Sequence, residues 1–259
     1  MATKTVLITG AASGIGYELA KIFASQKYAL ILVDVDRPRL LITKKYLENH
    51  YQASVITFTK DLARVNSAKE IFADLKKRRL KVDILINDAG FGSLGEFKDI
   101  KIETELKMIQ LNVASLTYFT KLFLEQLSGR GGKILNVSSV AAFQPGPLMA
   151  VYYATKAYIL SFSEAIAEEL ADTKITVTVL CPGPTATNFP ERVVPNFTKK
   201  TRGRMISEMS AEKVAQAGYD GLMKNQRLVI PGGLNKLVVF LDKIVPSSSV
   251  AKIVKKLNQ

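Results

Sequence analysis

Apolar runs of strand length recur along the chain, at TVLIT (5–9), ALILVD (29–34), SVITF (54–58), VDILIN (82–87), GKILNVS (132–138), ITVTVLC (175–181) and RLVIP (227–231). They are rich in β-branched residues and apolar at nearly every position, as strands buried on both faces of a parallel sheet are. Between most of them lie stretches of helical length with apolar residues at three- and four-residue intervals, as in Tyr17–Lys27 and Ala68–Arg79. Such alternation predicts an α/β fold: a doubly wound, seven-stranded parallel sheet with helices on both faces. No internal repeat, low-complexity segment or linker-like break interrupts it, so residues 1–259 read as a single domain.

Composition narrows the function classes. With 47% hydrophobic residues the chain can build a sizeable core. Its one cysteine, Cys181, forms no intramolecular disulfide and fits a reducing compartment. The start, MATKTVLITG, enters a strand pattern directly, and no apolar run nears the roughly 20 residues of a membrane span, so a cytoplasmic protein is expected. His50, the only histidine, falls in ENHYQ at a solvated helix end. A Ser-His-Asp hydrolase therefore lacks a base, and His/Cys zinc sites are unavailable, so no metal is expected. Cys181 ends an apolar strand and reads as a buried small hydrophobe. The net charge of +13 is scattered, with short clusters only at Lys76–Arg79 and Lys199–Arg204. It reads as a solvated basic surface more readily than as a nucleic-acid site, which would interleave cations with aromatics.

The chemistry begins where the first strand feeds TGAASGIG, Thr9 to Gly16. Gly10, Gly14 and Gly16 stand where the strand must turn and a helix must begin. Glycine there lets the backbone approach a ligand, and the helix N-terminus offers N–H groups to a phosphate. Asp34 ends the second strand, 18 residues past Gly16, near where a dinucleotide fold places an acid on the adenosine ribose. A carboxylate there repels a 2′-phosphate and favours NAD over NADP. Asp36, ahead of RPRL, suits a helix N-cap better than Asp34 does, while Arg37 could bind a 2′-phosphate and keeps NADP possible.

These residues resemble the short-chain dehydrogenase/reductase family, and the resemblance runs through about the whole chain. TGAASGIG resembles the family's TGxxxGxG loop, KDLA carries the acid after the third strand, and INDAG resembles NNAG with Asp88 in place of the second Asn. IQLNVASL, NVSS, YYATK and CPGPTAT follow in the family's order. Tyr152 lies 13 residues beyond Ser139, the family's usual separation, and only Tyr152, not Tyr153, stands four before Lys156. The resemblance implies a Rossmann-type fold and an oxidoreductase with Asn112, Ser139, Tyr152 and Lys156 as its catalytic set. It also implies a nicotinamide dinucleotide held by Gly10, Ser13, Gly14, Ile15, Gly16, Asp34, Asp61, Leu62, Asn87, Ala89, Gly90, Tyr152, Lys156, Pro182, Gly183, Thr185 and Thr187. Asn112 would position a water that links Lys156 to solvent. The chain is also similar to a bacterial subgroup known only as oxidoreductases, many of whose members carry arginine at the position of Asp34.

The catalytic device is intelligible from elementary chemistry. Hydride transfer between carbon and a nicotinamide requires a proton to move on or off the alcohol oxygen. A free tyrosine titrates near 10, too high for a good base at neutrality. An ammonium one helical turn away, with the positive ring of the oxidised cofactor, is expected to lower that value. Ser139, at a strand end, can hold the substrate oxygen.

The substrate is less legible. TNFPERVVPNFTKKTRGRM, Thr187 to Met205, supplies a lid within 188–209, and Phe143, Leu148 and Met149 offer apolar walls, pointing to a hydrophobic alcohol or ketone. The tail, 234–259, spaces Leu237, Phe240, Leu241 and Ile244 helically, then sets Ile253 and Leu257 among lysines. It can lie on an anionic membrane or pack onto the domain or a neighbouring subunit. Packing is the favoured reading, with no membrane or nucleic-acid partner and a homodimer or homotetramer. An NADPH-dependent carbonyl or 3-oxoacyl reductase is the alternative enzyme. A non-catalytic dinucleotide sensor or a nucleic-acid binder is the alternative of another class.

Overall fold

A computed structural model describes residues 3–127, 129–187, 208–242 and 244–259. The seven apolar runs form β1 (Thr5–Thr9), β2 (Ala29–Asp34), β3 (Val55–Thr59), β4 (Ile84–Asn87), β5 (Gly132–Val137), β6 (Ile175–Leu180) and β9 (Leu228–Val229). They make one seven-stranded sheet in the order β3-β2-β1-β4-β5-β6-β9, with every pairing parallel. Two short strands, β7 (Thr185–Ala186) and β8 (Met209–Ser210), pair apart from it. The strand order reverses between β1 and β4, which opens a crevice at the strands' carboxyl ends. The predicted doubly wound sheet is observed. The lid expected over 188–209 lies, up to residue 207, outside the described residues.

Helices cover both faces: α1 (Gly14–Ser25), α2 (Arg37–Tyr51), α3 (Ser67–Lys77), α4 (Ile102–Ile109), α5 (Leu116–Leu127), α6 (Ala150–Glu169), α7 (Ala211–Met223), α8 (Gly233–Asp242) and α9 (Ser247–Asn258). Alternation along each strand decides what packs where. Val6 and Ile8 face α1, α2 and α7 through Leu19, Phe23, Leu40 and Val214. Leu7 points to the other side, against Ile71 of α3, Phe123 of α5 and Ile166 of α6. Each such side chain taken from water contributes about 1.5–3 kcal/mol, so both layers are held strongly. No described helix is long and apolar enough to cross a membrane.

A few polar residues of the sheet are buried inside this apolar sandwich, among them Thr9, Asn87, Asn136 and Thr178. Asn136 of β5 is fully buried. Asn136 Oδ1 accepts from Asn87 Nδ2 of β4 at 2.8 Å, and Asn136 Nδ2 donates to Ser163 Oγ of α6 at 2.9 Å. Ser163 in turn donates to the Ile159 carbonyl at 2.6 Å, and Asn87 also reaches Thr120 Oγ1 of α5 at 3.2 Å. The ladder pins α5 and α6 to the two central strands and so fixes the rotation of α6 about its axis. Asn136→Leu keeps the volume but leaves one Nδ2 hydrogen of Asn87 and the acceptor side of the Ser163 hydroxyl unpaired, since the bonds to Thr120 and the Ile159 carbonyl remain. Urea unfolding should show a loss of about 2–4 kcal/mol, the cost of buried groups left unpaired. A loss below about 1 kcal/mol would show the ladder to be dispensable.

Candidate active site

The crevice is a cavity of about 1020 Å³ that runs from the β1–α1 loop, past the ends of β4 and β5, to helices α8 and α9. At its first end the glycine loop is shaped by contact. Gly10 and Gly14 have φ of +72° and +60°. A Cβ on Gly10 would stand 2.9 Å from the Ala89 nitrogen, and one on Gly16 would overlap the Gly10 carbonyl and lie 2.7 Å from Asp88 Oδ2. Ser13 occupies the N-cap of α1 with no side-chain bond to the helix's first turn, and Ser13, Gly14 and Ile15 line the cavity end. A close backbone approach beside an uncapped helix N-terminus fits a pyrophosphate.

The acid at the end of β2 is buried on this wall. Asp34 Oδ2 accepts from Ala12 N and Oδ1 from Asp36 N, both at 2.9 Å. Each carboxylate oxygen has a further acceptor site, so the hydrogen bonds that set its position do not exhaust it. Asp36 caps α2 by accepting from Arg39 N at 3.1 Å, as its place before RPRL predicts. Arg37 is exposed and outside the lining. Asp61 and Leu62 line the cavity, and Asp61 pairs with Lys107 at 3.2 Å. Lys60 also lines it and is held by Glu70 at 2.6 Å. Neither lysine stands out in the sequence: Lys60 sits in KDLA beside the acid of that motif, and Lys107 belongs to no motif and is brought to the cleft only by the fold.

In the middle of the cavity Ser139, Tyr152 and Lys156 converge. Ser139 starts a 3-10 turn, Val140–Phe143, and accepts from Ala141 N at 3.1 Å. Its hydroxyl is hydrogen-bonded to the Tyr152 side chain. Lys156, buried on the same face of α6, donates to the Val137 carbonyl at 3.0 Å, with Nζ 5.7 Å from the Tyr152 ring centroid. Ser138 Oγ donates to the Lys156 carbonyl at 2.7 Å, clamping that turn of α6 to the end of β5. Tyr153 also borders the cavity, but its ring packs against Gly146 and its hydroxyl bonds Asn258.

Asn112 stands in a π-helical turn, Gln110–Ser115, between α4 and α5. The wider turn explains an asparagine in mid-helix, since such turns re-aim side chains and free backbone groups. Asn112 Nδ2 donates to the Phe91 carbonyl at 3.0 Å and to Thr155 Oγ1 at 3.1 Å, and its Oδ1 accepts from Phe91 N at 3.2 Å. It therefore laces the loop after β4 to α6. Gly90 makes room for this: a Cβ there would sit 3.1 Å from Asn112 Oδ1.

Burial dominates the titration of the pair. It pushes Tyr152 well above the ordinary tyrosine value, with the Ser139 hydrogen bond opposing and Tyr153 adding. The lowering expected from Lys156 is not observed: the one opposing influence is the Ser139 hydrogen bond. Burial lowers Lys156 to about 8, while the charge of Asp88, and then Cys181, holds it up. Cys181 is pushed up to about 12 by burial, which suits an inert thiol.

Of the expected cofactor residues, Gly10, Ser13, Gly14, Ile15, Asp34, Asp61, Leu62, Ala89, Gly90, Pro182, Gly183, Thr185 and Thr187 line the cavity with Tyr152 and Lys156. Gly16, Asn87 and Asn112 stand behind it. The Nδ2 of Asn87 is taken by Asn136 and Thr120, while its buried Oδ1 has no hydrogen-bond partner among the described residues, and the amide of Asn112 binds the β4 loop and Thr155. Among the expected walls Met149 lines the cavity, whereas Phe143 packs into a side cluster and Leu148 turns away at φ +69°. The tail supplies the missing wall through Val238, Leu241, Val245, Val250 and Val254. No cluster of metal-ligating residues occurs among the described residues.

Residues 4–198 match the sequence profile of the family described as short chain dehydrogenase. The chain is 36% identical over 182 residues to an uncharacterised oxidoreductase of Schizosaccharomyces pombe, a match covering 69% of this chain and 60% of that relative. It resembles the short-chain dehydrogenase from Sphingobium yanoikuyae in complex with NADPH, with 28% identity, 94% and 96% of the two chains covered and a TM-score of 0.81. It also resembles the bulky-bulky ketone specific alcohol dehydrogenase from Comamonas testosteroni, with 26% identity, 94% and 92% coverage and a TM-score of 0.79. Profile, relatives and fold agree with the crevice at the strand ends, and the chain belongs to the short chain dehydrogenase family of oxidoreductases.

Proposed function

We propose that the protein moves a hydride between NAD(H) and a hydrophobic alcohol or ketone, with Tyr152 exchanging the proton. The observation that carries this reading is the Ser139–Tyr152 hydrogen bond within the cavity that begins at the glycine loop. The nicotinamide, when bound, supplies or accepts the hydride. Ser139 holds the substrate oxygen. Tyr152, kept a phenol by burial, donates its proton to that oxygen during reduction and recovers it during oxidation. The Lys156 ammonium, near enough to act through space, stabilises the phenolate that forms. Asn112 anchors the loop and helix around Lys156 and orders the water by which the lysine exchanges protons.

Asp34 supports NAD over NADP, since a 2′-phosphate beside a buried carboxylate meets like charge. Lys60 on the same wall supports a second reading, an NADPH-dependent carbonyl reductase, as does the NADPH-bound relative. The apolar tail wall supports a hydrophobic substrate, in keeping with a relative that acts on bulky ketones.

Tyr152→Phe should lower kcat by at least about a hundredfold, the scale of a lost acid–base group, while dinucleotide affinity stays near that of the parent protein. Full turnover in that variant would end the mechanism. NADH should bind more tightly than NADPH in a fluorescence titration, and Asp34→Ala should narrow the gap. Equal affinities in the unmutated protein would sink the NAD assignment.

A further inference from the structure

The tail has two faces with different fates. Its inner face packs as a wall: Val239, Val250 and Val254 are buried, and Asn258 Nδ2 donates to the Pro147 carbonyl at 2.9 Å. Its outer face is apolar and open. Leu237, Phe240 and Ile244 project from α8 and the turn after it, each more than half exposed, and none of them lines the cavity. The cavity rim continues the same character, since Leu234, Leu241, Ile253 and Leu257 both line the cavity and are 45–58% exposed. Single exposed apolar residues occur elsewhere on the surface, but here they gather along one helix face and the rim of the cavity, and a gathered apolar surface of this kind marks a docking site.

Charge identifies the occupant. Residues 233–259 hold five lysines and one acid, Asp242. Lys236, Lys252, Lys255 and Lys256 are exposed around the apolar residues, while Asp242 turns inward to the cavity. A second copy docked by a two-fold axis would bring this cationic face against itself. A zwitterionic or anionic bilayer accepts the apolar side chains equally, but only the anionic one is attracted by the lysines, each worth about fivefold in partition near such a surface. We propose that α8 and α9 dock the protein peripherally on an anionic lipid surface, with the cavity mouth at the contact. This goes beyond the proposed chemistry and does not depend on it.

The test is co-sedimentation of the full chain with phosphatidylcholine vesicles made with and without phosphatidylglycerol. Partition should be at least about tenfold stronger onto the anionic vesicles and should weaken as salt is raised. The double variant Leu237→Ser, Phe240→Ser should lose that binding while its circular dichroism melt stays cooperative. Lys252→Glu with Lys255→Glu, a charge change on an exposed surface, should lose it as well. Absence of binding by the unmutated chain, equal binding to both vesicle types, or undiminished binding by the variants would overturn the proposal. So would light scattering that shows the serine variant reduced to a smaller oligomer with its vesicle binding intact, because a second copy would then cover the face. No turnover is measured, so a failure here leaves the hydride-transfer reading standing, and the reverse also holds.

Discussion

The arrangement depends on one constraint: an ammonium and a phenol are held one helical turn apart, deep in a cleft between apolar layers. Keeping Lys156 out of water lowers it to about 8, from the 10.5 of an unperturbed lysine. At neutral pH the folded chain carries that charge at a cost on the order of 3 kcal/mol. Because the folded value is the lower one, the cost is present in full below about 8. It fades as pH rises from there towards 10.5, where the unfolded chain also gives up its proton. A protein bears such a cost where the charge has a task. Here the charge lies one turn from the tyrosine proposed as the proton donor.

Everything around the pair serves to hold it. The clamp from Ser138 to the Lys156 carbonyl sets one turn of α6, and the Asn87–Asn136–Ser163 ladder sets the next two. Asn112, re-aimed by the π-helical turn, ties the β4 loop to Thr155 between Tyr152 and Lys156. Asp88 brings a carboxylate to a place where the family pattern has an amide, and its field supports the lysine's charge against burial. The apolar layers supply the energy, and the few buried polar groups select one orientation of α6 from the several that packing alone would accept.

Much of this is legible in the sequence where the signal is local. The seven apolar runs are the seven strands because buried parallel strands need apolar residues on both faces. Asp36 before RPRL caps its helix because capping is a matter of three residues. Four-residue spacing selects Tyr152 over Tyr153, and the structure gives Tyr152 the bond to Ser139. What escapes the sequence is set by distant contacts. Nothing in KILNVS says that Asn136 finds partners 49 and 27 residues away. Asn87 reads as a cofactor residue from its motif, and nothing in that motif tells that its Nδ2 joins the ladder. The π-helical turn leaves only an unfavourable mid-helix asparagine as its trace. The tail's inner face becomes a cavity wall in place of Phe143 and Leu148 because α8 and α9 fold back across the strand ends.

The most direct test of this account is the titration of Tyr152 itself in the dinucleotide-free protein, followed by NMR of tyrosine labelled with carbon-13 at the ring Cζ. The Tyr152→Phe variant identifies the resonance among the nine tyrosines. Burial in the cleft predicts that Tyr152 stays a phenol as pH passes about 10, where free tyrosine ionises. A midpoint near or below neutrality would contradict it, and would make Tyr152 a preformed base instead of a donor held ready by burial.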